Sequence, residues 1–258
     1  MKKTFIPALI LLLFLAACGQ PVAAPAPSPI PEKSKAPEQP EAPALENAWG
    51  SALIIDVRDG GLVVLLDDPS GPAVMPMPGE IGFASEELGT ELLPGMTVQL
   101  AGGGDSVRMS WPAQADADRL LAVGYDGGLI SLYRQVLEEL EARCPELDEG
   151  TSRLCIDLHS AFNLPAGAGS VMAWCANSWF DREVMRDTMG GLSDKGYLGA
   201  GPDLRWEDGV FIGLCTEDVT EDSFTLLCTK QRSREEKLSL TIEARKTDGL
   251  WSWQEVTP

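Results

Sequence analysis

The chain has 258 residues, with 39 acidic and 20 basic side chains and a formal net charge of −19 at pH 7. An excess of negative charge of this size repels phosphate backbones and anionic lipid headgroups, which argues against nucleic-acid binding and against adsorption to a membrane surface. With one histidine and no Cys-x-x-Cys spacing, a histidine-built zinc site and a thioredoxin-like centre are unsupported as well.

Residues 1–17 have the layout of an export signal. Lys2 and Lys3 give a positive start, and an apolar stretch of about ten residues follows that is too short to span a bilayer. The segment ends in Leu15-Ala16-Ala17-Cys18, which resembles the lipobox of bacterial lipoproteins. The resemblance implies cleavage before Cys18, a palmitate-type lipid on that residue, and anchoring on the extracytoplasmic face of the cell membrane. The alternative is an ordinary secretory signal that precedes an incidental cysteine.

Residues 18–47 are predicted to be a disordered tether that begins at the lipidated Cys18. Eight prolines lie between residues 19 and 46, among alanine, glutamate and lysine, so the segment has almost nothing to bury. An extended tether of this composition could hold a domain up to about 80–90 Å from the bilayer. The alternative is a proline-rich ligand for another protein.

Residues 48–123 are predicted to form a small OB-like β-barrel. Asp59-Gly60-Gly61 separates two β-rich runs, which is typical of a hairpin, and residues 96–100 alternate as a strand does. The entry Leu93 to Val98, followed by Ser110 to Gln114 and a last strand, resembles the small OB-like barrels of uncharacterised lipoproteins from Gram-positive bacteria. The resemblance implies an OB-like fold and a lipoprotein's location on the membrane. It implies no catalytic residues.

The predicted barrel lacks the side chains that OB domains use to bind nucleic acid. Residues 48–123 hold three arginines, no lysine and eleven acids. Trp111 shares the alternation of Val107 and Met109, so we expect it in the core. The alternative is that Trp111 forms a stacking platform at the surface.

Residues 124–258 are predicted to form an α+β domain, with helices first and a four-stranded antiparallel meander last. An apolar stripe from Leu129 to Leu140 predicts an amphipathic helix. Further helices are expected over 165–179 and 183–195, and a short strand over 153–158. The meander is expected over 210–215, 224–230, 238–246 and 250–256.

The last hairpin and the basic cluster before it have their own predictions. A type I′ turn at Asp248-Gly249 would place Lys246 opposite Trp251 and Ala244 opposite Trp253, with both tryptophans on the core face. The cluster from Lys230 to Lys237 is interrupted by two glutamates, which favours a solvated turn.

Five cysteines follow Cys18, all after residue 123: Cys144, Cys155, Cys175, Cys215 and Cys228. Export permits disulfides, and an odd number leaves at least one thiol free. Cys215 and Cys228 would form a disulfide if the turn between them consists of Glu221 and Asp222 alone. A longer loop would shift the register and separate them, and the alternative is buried, reduced cysteine.

His159 is the only histidine and therefore the only imidazole available for nucleophilic catalysis. Asp157 and Ser160 lie near it in sequence, and Cys155 shares its strand face, which allows a Cys-His hypothesis. A structural or surface role for His159 is the simpler interpretation.

No other pattern indicates a cofactor or a metal. Acidic pairs are inevitable in so acidic a chain, so they do not point to a glycosidase. The acids between Glu217 and Asp222 lack the spacing and glycine of an EF-hand, which leaves weak calcium binding as a minor alternative.

These observations predict a lipid-anchored envelope protein that is non-catalytic and binds a protein, a glycan or a small ligand. One alternative is a cell-surface hydrolase whose site the sequence does not reveal. Another is a sensor or accessory subunit beside a transporter or membrane complex.

Overall fold

The structure, a computed structural model, describes residues 44–67, 71–103, 107–108 and 110–256. The export signal, Cys18 and most of the predicted tether lie outside the described residues. Eight strands form the first sheet: β1 Ala48–Arg58, β2 Gly61–Leu66, β3 Pro72–Pro76, β4 Glu80–Phe83, β5 Met96–Ala101, β6 Val107–Arg108, β7 Ala113–Ala115 and β8 Arg119–Tyr125.

The first sheet is open, which corrects the prediction of a closed or nearly closed barrel. Its strand order is β4-β8-β5-β1-β2-β3-β7-β6, and within the described residues the edge strands β4 and β6 do not pair with each other. The last strands are too short to continue the ladder, since β6 and β7 pair over two residue pairs only. The predicted hairpin at Asp59-Gly60 is confirmed, because Arg58 pairs with Gly61.

One face of the first sheet buries a core made almost entirely by the sheet itself. Ile54, Val64, Met75, Val98 and Leu120 are members, each at most 1% exposed. A single sheet can exclude water from one face only by bending around it. The other face of β1, β2 and β3 is left to contact the rest of the chain.

Six strands form the second sheet, in the order β10-β9-β11-β12-β13-β14. The strands are β9 Arg153–Ser160, β10 Glu183–Arg186, β11 Gly209–Glu217, β12 Ser223–Gln231, β13 Lys237–Thr247 and β14 Leu250–Val256. Strands β11 to β14 form the predicted antiparallel meander. Strands β10, β9 and β11 are parallel to one another, so the sheet is mixed.

Three helices accompany the second sheet: α1 Leu129–Ala142, α2 Ala168–Trp179 and α3 Met189–Asp194. The predicted first helix is confirmed, and α2 begins three residues after the expected Pro165. The prediction of one helix over 183–195 is wrong, because residues 183–186 pair with β9 as a parallel strand. Only the short α3 remains helical there, with the Thr188 hydroxyl accepting the Gly191 N–H at its start.

The last hairpin has the predicted register. Lys246 pairs with Trp251 and Ala244 with Trp253, around a two-residue turn in which Asp248 and Gly249 both have positive φ. Both tryptophans pack against the apolar core formed by α1, α2 and the second sheet. They remain partly exposed, as expected for a strand at the sheet edge.

The described residues form one compact unit, in which α1 and α2 lie between the two sheets. A β-bulge in β1 shifts the register between Ile54 and Asp56. The bulge turns Ile55 and Asp56 towards the helices, away from the core of the first sheet. Asp56 is 2% exposed and accepts hydrogen bonds from Arg58 (2.9 Å) and from Arg134 of α1 (3.3 Å).

Asp126 connects the first sheet to α1. Its carboxylate accepts the backbone N–H groups of Gly128, Leu129 and Ile130 at 2.7–3.1 Å, which satisfies the start of the helix. Burial raises the pKa of Asp126. A side chain at Gly95, which has φ +93°, would collide with this carboxylate. The Leu93 to Val98 motif therefore needs its glycine.

The basic cluster forms the predicted turn between β12 and β13 over residues 232–236, where Arg234 and Glu235 are exposed, but its first member lies in β12 and is not solvated. Lys230 is fully buried, and its Nζ donates to the carbonyl oxygens of Glu141 (2.7 Å) and Arg143 (2.8 Å) and to Asp148 Oδ2 (2.7 Å). The two carbonyl groups lie at the C-terminal end of α1, where such groups lack helical partners, and Asp148 follows six residues after that end. Lys230 is therefore a cap for that helix end.

Candidate functional site

The parallel part of the second sheet creates a crevice at the carboxyl ends of β9 and β10. The chain leaves β9 for α2 on one face of the sheet, whereas it leaves β10 for α3 on the other face. Where neighbouring parallel strands are followed by connections on opposite faces, a cleft opens beyond the strand ends, and ligands bind there in many α/β proteins.

The crevice contains a cavity of about 390 Å³. His159 from the end of β9 and Arg186 from the end of β10 both line it, and Ser170 of α2 forms part of the wall. The rest of the lining is apolar or glycine, and Phe162 at the rim is 76% exposed. No aspartate or glutamate is among the described residues that line this cavity, although the chain as a whole is strongly acidic.

A second cavity, of about 580 Å³, adjoins the first and runs to the first sheet. The two cavities share Arg186, Ser170 and residues 165–167. On the far side the second cavity is lined by Leu53 and Leu65 and reaches Trp111, which is 69% exposed. We call this depression, from Phe162 past Arg186 to Trp111, the seam groove.

A third cavity, of about 620 Å³, lies beyond Trp111 on the first sheet. Trp111 lines it together with Arg58, Arg108, Val74 and Met75. The exposure of Trp111 corrects the prediction that it lies in the core. Pro112 follows it directly, and a proline cannot donate to a strand ladder, so the alternation that includes Val107 ends before Trp111.

His159 belongs to a polar chain that ends at Arg186. Asp157 Oδ1 lies 2.8 Å from His159 Nδ1 and also accepts the backbone N–H of His159 at 2.9 Å. A carboxylate can only accept, so Nδ1 carries the proton and Nε2 presents its lone pair. Arg186 Nη2 lies 3.5 Å from Nε2. Asp157 thus orients the imidazole, and the imidazole in turn contacts the guanidinium.

Arg186 has no carboxylate within salt-bridge distance among the residues that the structure describes. The neighbouring Asp187 is engaged elsewhere, since its carboxylate accepts from Lys195 Nζ at 2.6 Å and from the Thr188 N–H at 2.9 Å. The hydrogen bond from Lys195 lowers the pKa of Asp187. Arg186 is exposed, borders both cavities, and has no paired carboxylate among the described residues.

The Cys155–His159 hypothesis does not survive in the structure. Cys155 is fully buried beneath α3, and its thiol donates to the Asp187 carbonyl at 3.4 Å. Burial raises the pKa of this thiol to about 12. His159 lies four positions further along the strand, a distance of about 13 Å. Cys155 is therefore a core residue outside the groove.

The candidate disulfide partners Cys215 and Cys228 are free thiols on opposite faces of their hairpin. Cys215 pairs with Leu227, and Cys228 pairs with Leu214, one position out of the register that a bridge would need. Five residues, 218–222, connect β11 and β12 in place of the two-residue turn that the bridge requires. The longer loop is the alternative that the sequence left open.

The structure gathers no metal-binding group of three or more His, Cys, Asp or Glu side chains within the described ranges. The predicted lipidation site, Cys18, lies outside the described residues.

The chain matches no protein-family model, no curated protein and no solved structure. The groove is consequently interpreted from its own residues. Sequence reasoning missed Arg186 because it was assigned to a helix, and it missed Ser170 because nothing local distinguishes that serine. For Trp111 a usable signal existed, namely the proline that follows it.

The thiols provide a direct test of this arrangement. We expect Cys155, Cys175 and Cys228 to resist iodoacetamide at pH 8 in the native chain, since burial raises the pKa of each thiol to about 12. The half-buried Cys144 and Cys215 should be alkylated first. Peptide mass spectrometry before and after unfolding in urea measures both sets. If Cys215 and Cys228 react in urea only after a reductant is added, they are bridged and the observed register is wrong.

Proposed function

We propose that this chain is a lipid-anchored, extracytoplasmic binding protein of the cell envelope, and that the seam groove holds its ligand. One observation carries the proposal: two large aromatic side chains, Trp111 and Phe162, are exposed along a single apolar depression. Exposed aromatic side chains beside concave apolar surface are typical of ligand sites. Both sheets contribute walls, so the groove exists only in the folded, docked chain.

The proposed anchor is lipid on Cys18, which rests on the resemblance of residues 15–18 to a lipobox. None of the helices in the described part of the chain is both long and apolar enough to cross a bilayer. The negative charge of the chain supports a protein held away from the headgroups by its tether. The resemblance of residues 48–123 to OB-like lipoprotein domains belongs to the same proposal, supported by a core that one bent sheet encloses.

The main alternative, a cell-surface hydrolase, would have to use the Asp157–His159 pair. In a serine or cysteine hydrolase the free imidazole nitrogen contacts the nucleophile. Here Nε2 faces Arg186, and among the described residues no hydroxyl or thiol hydrogen-bonds to His159. This contact favours binding over hydrolysis. A sensor or accessory subunit would use the same groove and would differ in its partner.

The anchor predicts the chemistry of the mature N-terminus. Mass spectrometry of chain extracted from membranes should find Cys18 as the first residue, carrying a diacylglyceryl group. The variant Cys18→Ser should leave the membrane fraction, because the lipid supplies the attachment. Cys144→Ser is the matched control and should remain bound. An unmodified Cys18, or cleavage elsewhere, contradicts the proposed lipid anchor and membrane location.

The groove predicts binding of an uncharged apolar probe. Nile red should bind the full chain with a fluorescence increase, and Trp111→Ala should weaken that binding about tenfold, because a large aromatic contact is lost. Leu250→Ala removes another exposed apolar side chain, at the β13–β14 turn, and should leave binding unchanged. Equal affinities of both variants and the parent chain would show that the seam groove is not the binding site.

A further inference from the structure

The part of the seam groove around Arg186 differs in charge from the rest of the protein. The chain carries a net charge of −19, yet the cavity between β9 and β10 is lined by one guanidinium, Arg186, and by no carboxylate among the described residues. Arg186 is exposed where it borders this cavity, and an arginine with no carboxylate within salt-bridge distance among the described residues retains its capacity to bind an anion.

Arg186 is also held in place. His159 Nε2 lies 3.5 Å from its Nη2, and the imidazole is fixed by two contacts with the Asp157 carboxylate. The carboxylate nearest in sequence, Asp187, is neutralised by Lys195 and does not line the cavity. A positioned guanidinium forms paired hydrogen bonds with a planar anion at a smaller entropic cost than a mobile one does.

The surroundings of Arg186 indicate the kind of anion. The single positive charge matches a monoanionic carboxylate, which a guanidinium binds through two parallel hydrogen bonds. Away from Arg186 the groove is apolar, with Leu53, Leu65 and Val171 in its walls and Trp111 at its far end. Among the described residues the one acid in its lining is Asp67, which hydrogen-bonds to Ser51 on the first-sheet side, so the position beside Arg186 suits a negative group best.

We propose that the seam groove binds an amphipathic organic acid, with the carboxylate on Arg186 and the apolar body directed towards Trp111. This inference rests on the proposed function, because it specifies the ligand class of the same groove. The two cavities that Arg186 borders, of about 390 and 580 Å³, have the size of small-molecule sites.

The test compares two probes that differ in one charge, N-acetyl-L-phenylalanine and N-acetyl-L-phenylalanine amide. Each is titrated against the full chain by calorimetry or by displacement of Nile red. The acid should bind about tenfold more tightly than the amide, because only the acid forms a charge-assisted bond with Arg186. Arg186→Gln should remove this preference, so that acid and amide bind with similar affinities, and Arg186→Lys should restore part of it.

Arg245→Gln is the matched control, since this arginine is exposed on β13 and pairs with Glu243 outside the groove. It should keep the full preference for the acid. Equal binding of acid and amide, or a preference that survives Arg186→Gln, overturns the carboxylate assignment. If Nile red still binds in that case, the groove remains a ligand site and only its ligand class is wrong. If Nile red does not bind either, the proposed function fails as well.

Discussion

The packing of the first sheet against the helices depends on the buried carboxylate of Asp56, which faces two arginines. Asp56 lies between the first sheet and α1, almost fully buried, with Arg58 and Arg134 as its partners. Each arginine stacks over a tryptophan of α2: Arg58 over Trp174 at 5.0 Å and Arg134 over Trp179 at 4.9 Å. Arg58 belongs to the same strand as Asp56, so the contact that joins this face of the sheet to α1 is the ion pair with Arg134.

The β-bulge in β1 places Asp56 on the face of the sheet that packs against the helices. Regular alternation along β1 would direct Asp56 into the apolar core of the first sheet, where no cation could reach it. The extra residue at Ile55 turns the carboxylate to the opposite face, and Val57 returns to the core side. The seam groove results from the packing of this face against the helices. Leu53 and Leu65 line one wall of the groove, and the start of α2 lines the other.

Three local patterns predicted the local structure of this chain correctly. The Asp-Gly turns, the stripe of α1 and the alternation of β13 each report on residues close in sequence, and all three are confirmed. Features that depend on distant partners were wrong. Residues 183–186 became a strand because β9 offers a parallel edge, and Lys230 is buried because two carbonyl groups at the end of α1 and the Asp148 carboxylate accept hydrogen bonds from it. The groove belongs to this second class, since Arg186 and Trp111 are brought to it by strands that are far apart in sequence.

Native-state hydrogen exchange in increasing urea tests whether Asp56 joins the two halves into one cooperative unit. The slowest amides of β1 and β2 and those of β11 and β12 should exchange through one common opening, with the same free energy and the same urea dependence. In Asp56→Ala the two sets should separate, and the first sheet should open at the lower free energy. In Glu87→Ala, which removes an exposed acid, they should remain together. Two distinct openings in the parent chain, or no separation in Asp56→Ala, would contradict the view that this buried carboxylate holds the groove together.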